Sequence, residues 1–240
     1  MCGRYSLTLE PVELRQAFGL SMMPEEWAPR YNIAPTQPVA VITDAVTRKA
    51  EFMRWGLVPS WAKDISVGSK LINARAETVT EKPSFRSAFA HRRCLILADG
   101  FYEWQKTGTK SPSIPYYFRL TNGGPFAFAG LWEYWESAEG DGLKTCTIIT
   151  TEANARVAPV HDRMPVILNP QTAWDWLRDG SSESLLKLLR PYPAEEMSAY
   201  RVSRMVNDTG KDTAALIKPQ TEWGNEFFEY WALNSLTAAG

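Results

Sequence analysis

The sequence predicts an α+β fold made of one domain, with a mainly antiparallel, barrel-like β-sheet core and scattered helices. Strand-like stretches follow one another through the middle of the chain, separated by Gly, Asn, Pro and Ser turns. Helical spacing of apolar residues occurs only in short pieces between them. The 240 residues suit one large domain or two small ones, and the lack of an internal repeat or low-complexity linker favours one.

The first part of the chain begins with a strand prediction at "CGRYSL" and a helix prediction at "PVELRQAFGL". In that helix Pro11 takes a favoured first-turn position and Gly19 stands near the stop. The stretch "PRYNIAPTQP" predicts a Pro-rich loop, and "VAVITDAV" with "AEFMRWGLV" predicts a hairpin. A loop at "PSWAKDISVGSK" and a short helix at "SFRSAFAHRR" follow.

Strand predictions dominate the rest of the chain, at "CLILA", "FYEWQK", "PYYFRL", "PFAFAGLWEYW", "KTCTIITT", "RMPVIL" and "AYRVS". Helices are predicted at "EANARVAPV", at "NPQTAWDWLRDG" and at "SSESLLKLLRPYP", the last capped by Ser181 or Ser182. The domain is predicted to span residues 1–222, and residues 223–240 to form a C-terminal extension or tail.

Composition limits the classes of function. The net charge of −1 provides no global basic field, so a nucleic-acid site requires a local patch. Three cysteines and two histidines predict neither a disulfide framework nor a metal site, and Cys94 and Cys146 are expected to be core thiols. No apolar run of about 18 residues and no signal region occur, which predicts a soluble cytoplasmic protein without a membrane partner or a cofactor.

Cys2 follows the initiator methionine directly, and its chemistry changes if Met1 is removed. It then carries a free α-amine and a thiol on adjacent carbons. On the order of a tenth of such an amine is neutral at pH 7 and can attack an aldehyde to form a Schiff base. The thiol can then close on the imine carbon as a five-membered thiazolidine. The sequence therefore predicts a carbonyl partner, most naturally an aldehyde.

Polar side chains within strand-like sequence supply the other candidates. "LINARAET" places Asn73, Arg75 and Glu77 at alternate positions, which share one face if the stretch is a strand. Glu103 stands between aromatic residues, where desolvation raises a carboxyl pKa toward neutrality. His161 precedes a strand and titrates near physiological pH. The structural alternatives are a turn cap for Asn73, a surface carboxylate paired with a lysine for Glu103, and a hydrogen-bonded histidine at the start of a strand for His161.

Six motifs in order give the sequence a resemblance to the SOS-response-associated peptidase (SRAP) family of abasic-site DNA–protein crosslink proteins. They are "MCGRY", "RYNIAPTQ", "RWGLVPSW", "LINARAET", "ADGFYEW" and "HDRMPVIL". The resemblance covers about residues 1–220. It implies an SRAP-type domain that senses abasic sites in single-stranded DNA during the DNA damage response. Covalent capture by Cys2 is implied, with lyase activity by β-elimination and a peptidase activity that releases Met1.

The resemblance also assigns residues. Cys2 becomes the crosslinking cysteine. Asn73 is expected to hold the adduct, Glu103 to move protons in imine formation and crosslink reversal, and His161 to assist opening of the sugar. Contacts with DNA are expected from Gly3, Arg4, Trp61, Arg75, Thr150 and Arg163, the arginines as phosphate ligands and the tryptophan as a stacking surface. The three arginines have structural ion pairs as their alternative, and Trp61 has the alternative of an aromatic lid over the core. The protein is expected to be a monomer that associates with the nucleoid through DNA.

Two other classes of protein fit parts of the sequence. Some N-terminal-nucleophile amidohydrolases also begin Met-Cys-Gly, and in them the thiol attacks an amide while the α-amine acts as base. A non-catalytic module that binds single-stranded or modified DNA would share the aromatic and basic residues but form no covalent species. The start of the chain does not separate these alternatives, and the later motifs favour covalent capture.

Overall fold

The computed structural model describes residues 2–108 and 112–220. The predicted domain end at residue 222 and the predicted tail at 223–240 lie outside the described residues. The described strands are β1 (Tyr5–Leu7), β2 (Arg30–Ile33), β3 (Pro38–Ile42), β4 (Ala50–Trp55), β5 (Asn73–Arg75), β6 (Arg93–Ala98), β7 (Gly100–Gln105), β8 (Ile114–Leu120), β9 (Phe126–Glu136), β10 (Gly142–Glu152), β11 (Arg163–Pro165), β12 (Ile167–Leu168) and β13 (Met197–Arg201). The α-helices are α1 (Pro11–Phe18), α2 (Arg86–His91), α3 (Ala173–Leu177) and α4 (Ser182–Leu186).

Five strands close into a barrel in the order β10, β4, β3, β6 and β9, with β9 pairing back to β10. Four of the five pairings are antiparallel, and the parallel pairing of β10 with β4, in register at Cys146 and Trp55, completes the ring. The same strand β10 pairs in parallel with β5 and antiparallel with β11. Because β5 and β11 both pair with β10, their residues are aligned with each other at one end of the barrel.

A second, fully antiparallel sheet has the strand order β13, β8, β7, β1 and β2. Alternate residues of its strands face opposite sides. Tyr5 and Phe101 lie on the barrel side, where both rings contact Phe128 of β9. Tyr102 and Tyr117 lie on the outer side, in a small apolar cluster with Val202, Val206 and Leu216. The segment after β13 therefore covers the outer face of this sheet.

The helices follow their sequence signals. Pro11 occupies the first turn of α1, and Glu10 and Glu13 form a reciprocal capping box. Gly19 ends α1 with a φ of 59°, and its N–H donates to the carbonyl of Arg15. Ser181 caps α4 by accepting the N–H of Ser184. The predicted α+β class, the barrel-like antiparallel core and these helix positions are confirmed.

Three local predictions were wrong. "EANARVAPV" forms consecutive turns instead of a helix, because the Asn154 side chain accepts the N–H groups of Arg156 and Val157. "PRYNIAPTQP" contains strand β2, whose outer N–H groups are satisfied by the carboxylate of Asp212. The strand at "LINARAET" ends at Arg75, so Glu77 lies in a 3₁₀ turn and does not continue the alternate-residue face.

Within residues 2–108 and 112–220, no helix is long and apolar enough to cross a membrane. Cys94 and Cys146 are fully buried free thiols, which confirms their prediction as core residues.

Candidate active site

Cys2 lies three residues before the start of strand β1, near β7 and β5. The N–H of Tyr102 donates to the carbonyl of Arg4 at 2.9 Å, so β1 continues along β7 beyond its first regular residue. The side-chain amide of Asn73 donates to the Cys2 carbonyl oxygen at 2.9 Å. Asn73 is placed there by the parallel pairing of β5 with β10, where it stands opposite Ile148. The Cys2 carbonyl is therefore held by Asn73, and the chain two residues later is held by β7.

The Cys2 side chain is fully buried. Burial is the main cause that raises the pKa of its thiol well above the usual range, and the negative charge of Glu103 adds to this effect. The thiol is consequently neutral at physiological pH. A neutral thiol is a poor first nucleophile, which affects the order of any reaction at this residue.

Glu103 lies in β7 and is only 3% exposed. Burial raises the pKa of its carboxyl to about 7, against an opposing effect of the positive amino terminus. Both protonation states are therefore present near neutral pH.

Gly100 begins the same strand, and a Cβ atom there would collide with the Tyr117 hydroxyl, so only glycine fits at this close approach to β8.

His161 lies near the end of the loop between β10 and β11, which is called the His161 loop below. Its Nδ1 accepts the backbone N–H of Arg163 at 3.0 Å, and an Asp162 carboxylate oxygen lies 2.9 Å from the same nitrogen. Burial is the main cause that lowers the pKa of His161. The ring is therefore mainly neutral at physiological pH, and the 88% exposed Asp162 carboxylate opposes the effect of burial without outweighing it. In the tautomer that accepts the Arg163 N–H at Nδ1, the ring proton lies on Nε2.

The His161 loop is fastened beside Glu103. Gln105 of β7 donates its side-chain amide to the Pro159 carbonyl at 2.9 Å. The charge of Asp162 also acts on the Glu103 carboxyl and raises its pKa. The structure thus brings Cys2, Asn73 and Glu103 together and sets the His161 loop next to them. Among the described residues, no group of three or more His, Cys, Asp and Glu side chains is arranged to hold a metal ion.

The two most accessible of the predicted DNA contacts are Trp61 and Arg75. Trp61 is 64% exposed in the loop after β4, and the neighbouring Ala62 carbonyl accepts the indole N–H of Trp135, which anchors this loop. Arg75 is exposed at the end of β5, and its guanidinium forms no hydrogen bond or salt bridge with the residues that the structure describes. Both side chains are available to a ligand.

Arg4 and Gly3 are half-buried beside Cys2. One guanidinium nitrogen of Arg4 donates hydrogen bonds to the Asn32 side-chain oxygen at 2.8 Å and to the Val206 carbonyl at 2.7 Å. It also lies 5.9 Å from the centre of the Trp104 ring. The segment that follows β13 therefore fixes the position of Arg4.

Arg163 and Thr150 form one hydrogen-bonded unit with Glu77. The Arg163 guanidinium donates to both carboxylate oxygens of Glu77, at 2.6 and 3.0 Å, and to the Thr150 carbonyl at 2.7 Å. Thr150 is fully buried, and its hydroxyl donates to the Ala74 carbonyl. Its predicted contact with DNA stays a prediction, and the observed role of Thr150 is to hold Arg163. Glu77 was not assigned a role from sequence, although its place in "NARAET" beside Asn73 and Arg75 was a usable signal.

Comparison with known proteins identifies the family. The model of the family described as SOS response associated peptidase (SRAP) matches residues 1–209. The chain is 44% identical over 223 residues to the abasic site processing protein YoqW of Bacillus subtilis, covering 91% of this chain and 99% of that protein. It is 32% identical to the abasic site processing protein HMCES of Gallus gallus, covering 91% and 78%.

Solved structures agree with these matches. A protein from Bacteroides thetaiotaomicron superposes with a TM-score of 0.81 at 25% identity, covering 92% of this chain and 100% of that one. A protein from Bordetella bronchiseptica gives a TM-score of 0.74 at 29% identity, covering 84% and 100%. With a family match over most of its length and relatives of this similarity, the chain belongs to the SOS response associated peptidase (SRAP) family.

Proposed function

We propose that this protein captures abasic sites in single-stranded DNA by covalent attachment to Cys2 after removal of Met1. The observation that carries the proposal is the carboxyl of Glu103, with a pKa of about 7, acting on the buried Cys2 thiol while Asn73 holds the Cys2 carbonyl. The relatives named abasic site processing protein support the substrate. The open-chain form of an abasic deoxyribose presents the aldehyde that an N-terminal cysteine requires.

The reaction proceeds in two bond-forming steps. The neutral α-amine adds to the aldehyde carbon, and loss of water from the carbinolamine gives an imine. The sulfur then bonds to the imine carbon, and the thiol proton ends on the nitrogen, which closes the thiazolidine. The raised pKa of the Cys2 thiol favours this order. A neutral thiol is a weak nucleophile toward the free aldehyde, and the imine is a more reactive electrophile for it.

Glu103 is the proton carrier of this mechanism. Its protonated form donates to the departing hydroxyl of the carbinolamine, and its ionised form accepts a proton from the amine or the thiol. A pKa of about 7 keeps both forms populated at neutral pH. The same carboxyl protonates the ring nitrogen or sulfur when the thiazolidine reopens, so it serves both capture and reversal.

His161 and Asn73 act on either side of this pair. His161 is neutral with its proton on Nε2, so that nitrogen can donate to the sugar oxygen as the ring opens. Asn73 orients the new amino terminus through the Cys2 carbonyl. β-Elimination from the Schiff base would give lyase activity, and release of Met1 by the same residues would account for a peptidase activity.

The DNA contacts proposed here are independent of base sequence. Arg75 and Arg4 supply phosphate contacts, with Gly3 beside Cys2 allowing close approach of the sugar. Trp61 stacks on a base beside the lesion, a contact worth about 1–3 kcal/mol. Neither phosphate contacts nor stacking read base identity. The protein acts as a monomer, associates with DNA in the cytoplasm, and protects the lesion during the DNA damage response.

The central test uses the purified protein, with Met1 removal verified by mass, and a single-stranded oligonucleotide that contains one abasic site. We expect a heat-resistant shifted band on a denaturing gel, and no such band with intact DNA. A variant with a bulky residue inserted between Met1 and Cys2 keeps the thiol but blocks methionine removal, and it should form no band. The absence of a band from correctly processed protein would refute covalent capture.

The two alternative classes give different results in the same preparations. An amidohydrolase would release ammonia from glutamine, although the raised pKa of the Cys2 thiol opposes direct attack on an amide. A purely binding module would retain the oligonucleotide reversibly and salt-sensitively, and no product would survive denaturation.

Replacement of Arg75 tests the electrostatic part of the interface. Because its guanidinium is exposed, Arg75→Gln should remove one phosphate contact. The slope of log affinity against log salt should become shallower by about 0.7 for single-stranded DNA. Fluorescence anisotropy with a labelled oligonucleotide measures this slope. Arg178→Gln makes the same change at an exposed ion pair with Asp175 and should leave it unaltered; equal slopes for both variants would contradict the assignment.

A further inference from the structure

The inference concerns the ion pair between Arg163 and Glu77. The Arg163 side chain is 14% exposed, whereas the Glu77 side chain is 52% exposed. The carboxylate therefore covers the outer face of a guanidinium that is otherwise enclosed. Both oxygens of Glu77 take part, so the planar donor fork of the arginine is filled in a bidentate arrangement.

A phosphate group fits the same fork. Arginine presents parallel N–H groups that match carboxylate and phosphate alike. The Arg163 guanidinium also donates to the Thr150 carbonyl, and the Arg163 backbone N–H donates to His161, so these two anchors do not involve the outer ligand. Arg75, which stands opposite Thr150 in register, is exposed and forms no salt bridge with a described residue, although its charge also acts on the Glu77 carboxyl.

We propose that Glu77 occupies the phosphate position of Arg163 in the DNA-free protein and is displaced by a backbone phosphate when single-stranded DNA binds. This inference rests on the proposed function. It makes Glu77 an internal competitor of the DNA and not a structural partner of Arg163. Thr150 and the strand β11 keep the guanidinium in place during the exchange.

The exchange has an electrostatic consequence. Before binding, Arg163 and Glu77 neutralise each other. After binding, the arginine neutralises the phosphate and Glu77 carries an uncompensated charge, so the contact adds no net release of cations. Without the Glu77 charge, the same contact releases about 0.7 of a cation. Glu77 therefore weakens binding and flattens its dependence on salt.

Protonation of Glu77 does not free Arg163 near neutral pH. The hydrogen bonds from Arg163 hold the pKa of the Glu77 carboxyl below its usual range. The carboxylate thus stays ionised, and displacement requires a competing anion.

The test measures noncovalent binding in a Cys2→Ala parent with a labelled single-stranded oligonucleotide containing a tetrahydrofuran abasic analogue, which has no aldehyde. Glu77→Gln should bind roughly threefold or more tightly at about 50 mM salt, with a salt slope steeper by about 0.7. Glu77→Asp retains the charge on a shorter side chain and should shift both quantities less. Glu183→Gln makes the same change at an exposed ion pair with Lys187 and should shift neither.

Arg163→Gln decides whether the gain passes through the arginine. In the double variant Glu77→Gln/Arg163→Gln, the tighter binding and the steeper slope should both disappear. Weaker binding or an unchanged slope in Glu77→Gln, with a parent that binds DNA, would overturn this inference alone. Failure of the parent itself to bind single-stranded DNA would overturn the proposed function and the inference with it.

Discussion

Replacing Cys2 by alanine should abolish the heat-resistant crosslink while leaving a Schiff base that borohydride can trap. The α-amine of the replaced residue remains, so imine formation continues, but no sulfur is present to close the ring. We expect at least a 100-fold loss of heat-resistant product and a borohydride-trapped yield within a few-fold of wild type. Denaturing gels with and without borohydride measure the two products.

The same experiment separates two orders of reaction. If the thiol attacked first, Cys2→Ala would lose both the heat-resistant and the trapped product. The variant with a residue inserted before Cys2 provides the matched control, because it keeps the thiol but has its α-amine on Met1, away from the sulfur. Heat-resistant product from that variant would contradict ring closure by an N-terminal cysteine.

Replacing Glu103 by glutamine should slow capture and also stabilise the fold. Loss of a positioned acid–base group costs about 100-fold to 10,000-fold in rate. We expect crosslink formation and crosslink reversal to slow together at pH 7, because both need the same proton. Time courses of formation, and of release after excess competitor is added, give the two rates. Unchanged rates would remove Glu103 from the mechanism.

The stability effect depends on pH, and its sign follows from the direction of the shift. The fold raises the Glu103 pKa from 4.5 to about 7, so the ionised side chain is disfavoured in the native state. The destabilisation is absent below about pH 4.5, grows as the pH rises, and is complete above about pH 7. It amounts to about 3 kcal/mol. Glu103→Gln should therefore raise the free energy of unfolding at pH 8 and not at pH 4.

Glu133 offers a control of opposite sign. It is buried and accepts a salt bridge from Arg92 at 2.7 Å. Glu133→Gln leaves that arginine without its partner and should destabilise the protein at pH 8. Urea unfolding of both variants at the two pH values makes the comparison. A stability gain in both variants, or in neither, would contradict the burial argument for Glu103.

The sequence was most informative where local signals decide structure. Pro11 and Gly19 bracket a helix through their own backbone geometry, and Ser181 caps one by the same kind of local bond. The aromatic neighbours of Glu103 indicated a desolvated carboxyl, and the structure has it 3% exposed. These features depend on residues close together in the chain.

Features that depend on distant residues were not predictable in this way. Strand β2 is completed by Asp212, about 180 positions later in the chain. The turns after β10 are shaped by the Asn154 side chain, and that side chain is itself held by the distant Tyr192 carbonyl, to which its amide donates. Arg163 was predicted from sequence to be a phosphate ligand, whereas its salt bridge with Glu77, which joins residues 86 positions apart, was not predicted. Each of these contacts exists only once the barrel and the second sheet are assembled.

The burial of Cys2 sets an order of events during synthesis. Cys2 is fully buried and hydrogen-bonded to Asn73 of β5, and Arg4 beside it is held by Val206 from the far end of the domain. Until residue 206 has emerged and docked, Arg4 lacks this contact and the enclosure of Cys2 is incomplete. Chains grow at roughly 5–20 residues per second, which leaves on the order of ten seconds for methionine excision. We expect excision of Met1 by an aminopeptidase to fall within this interval.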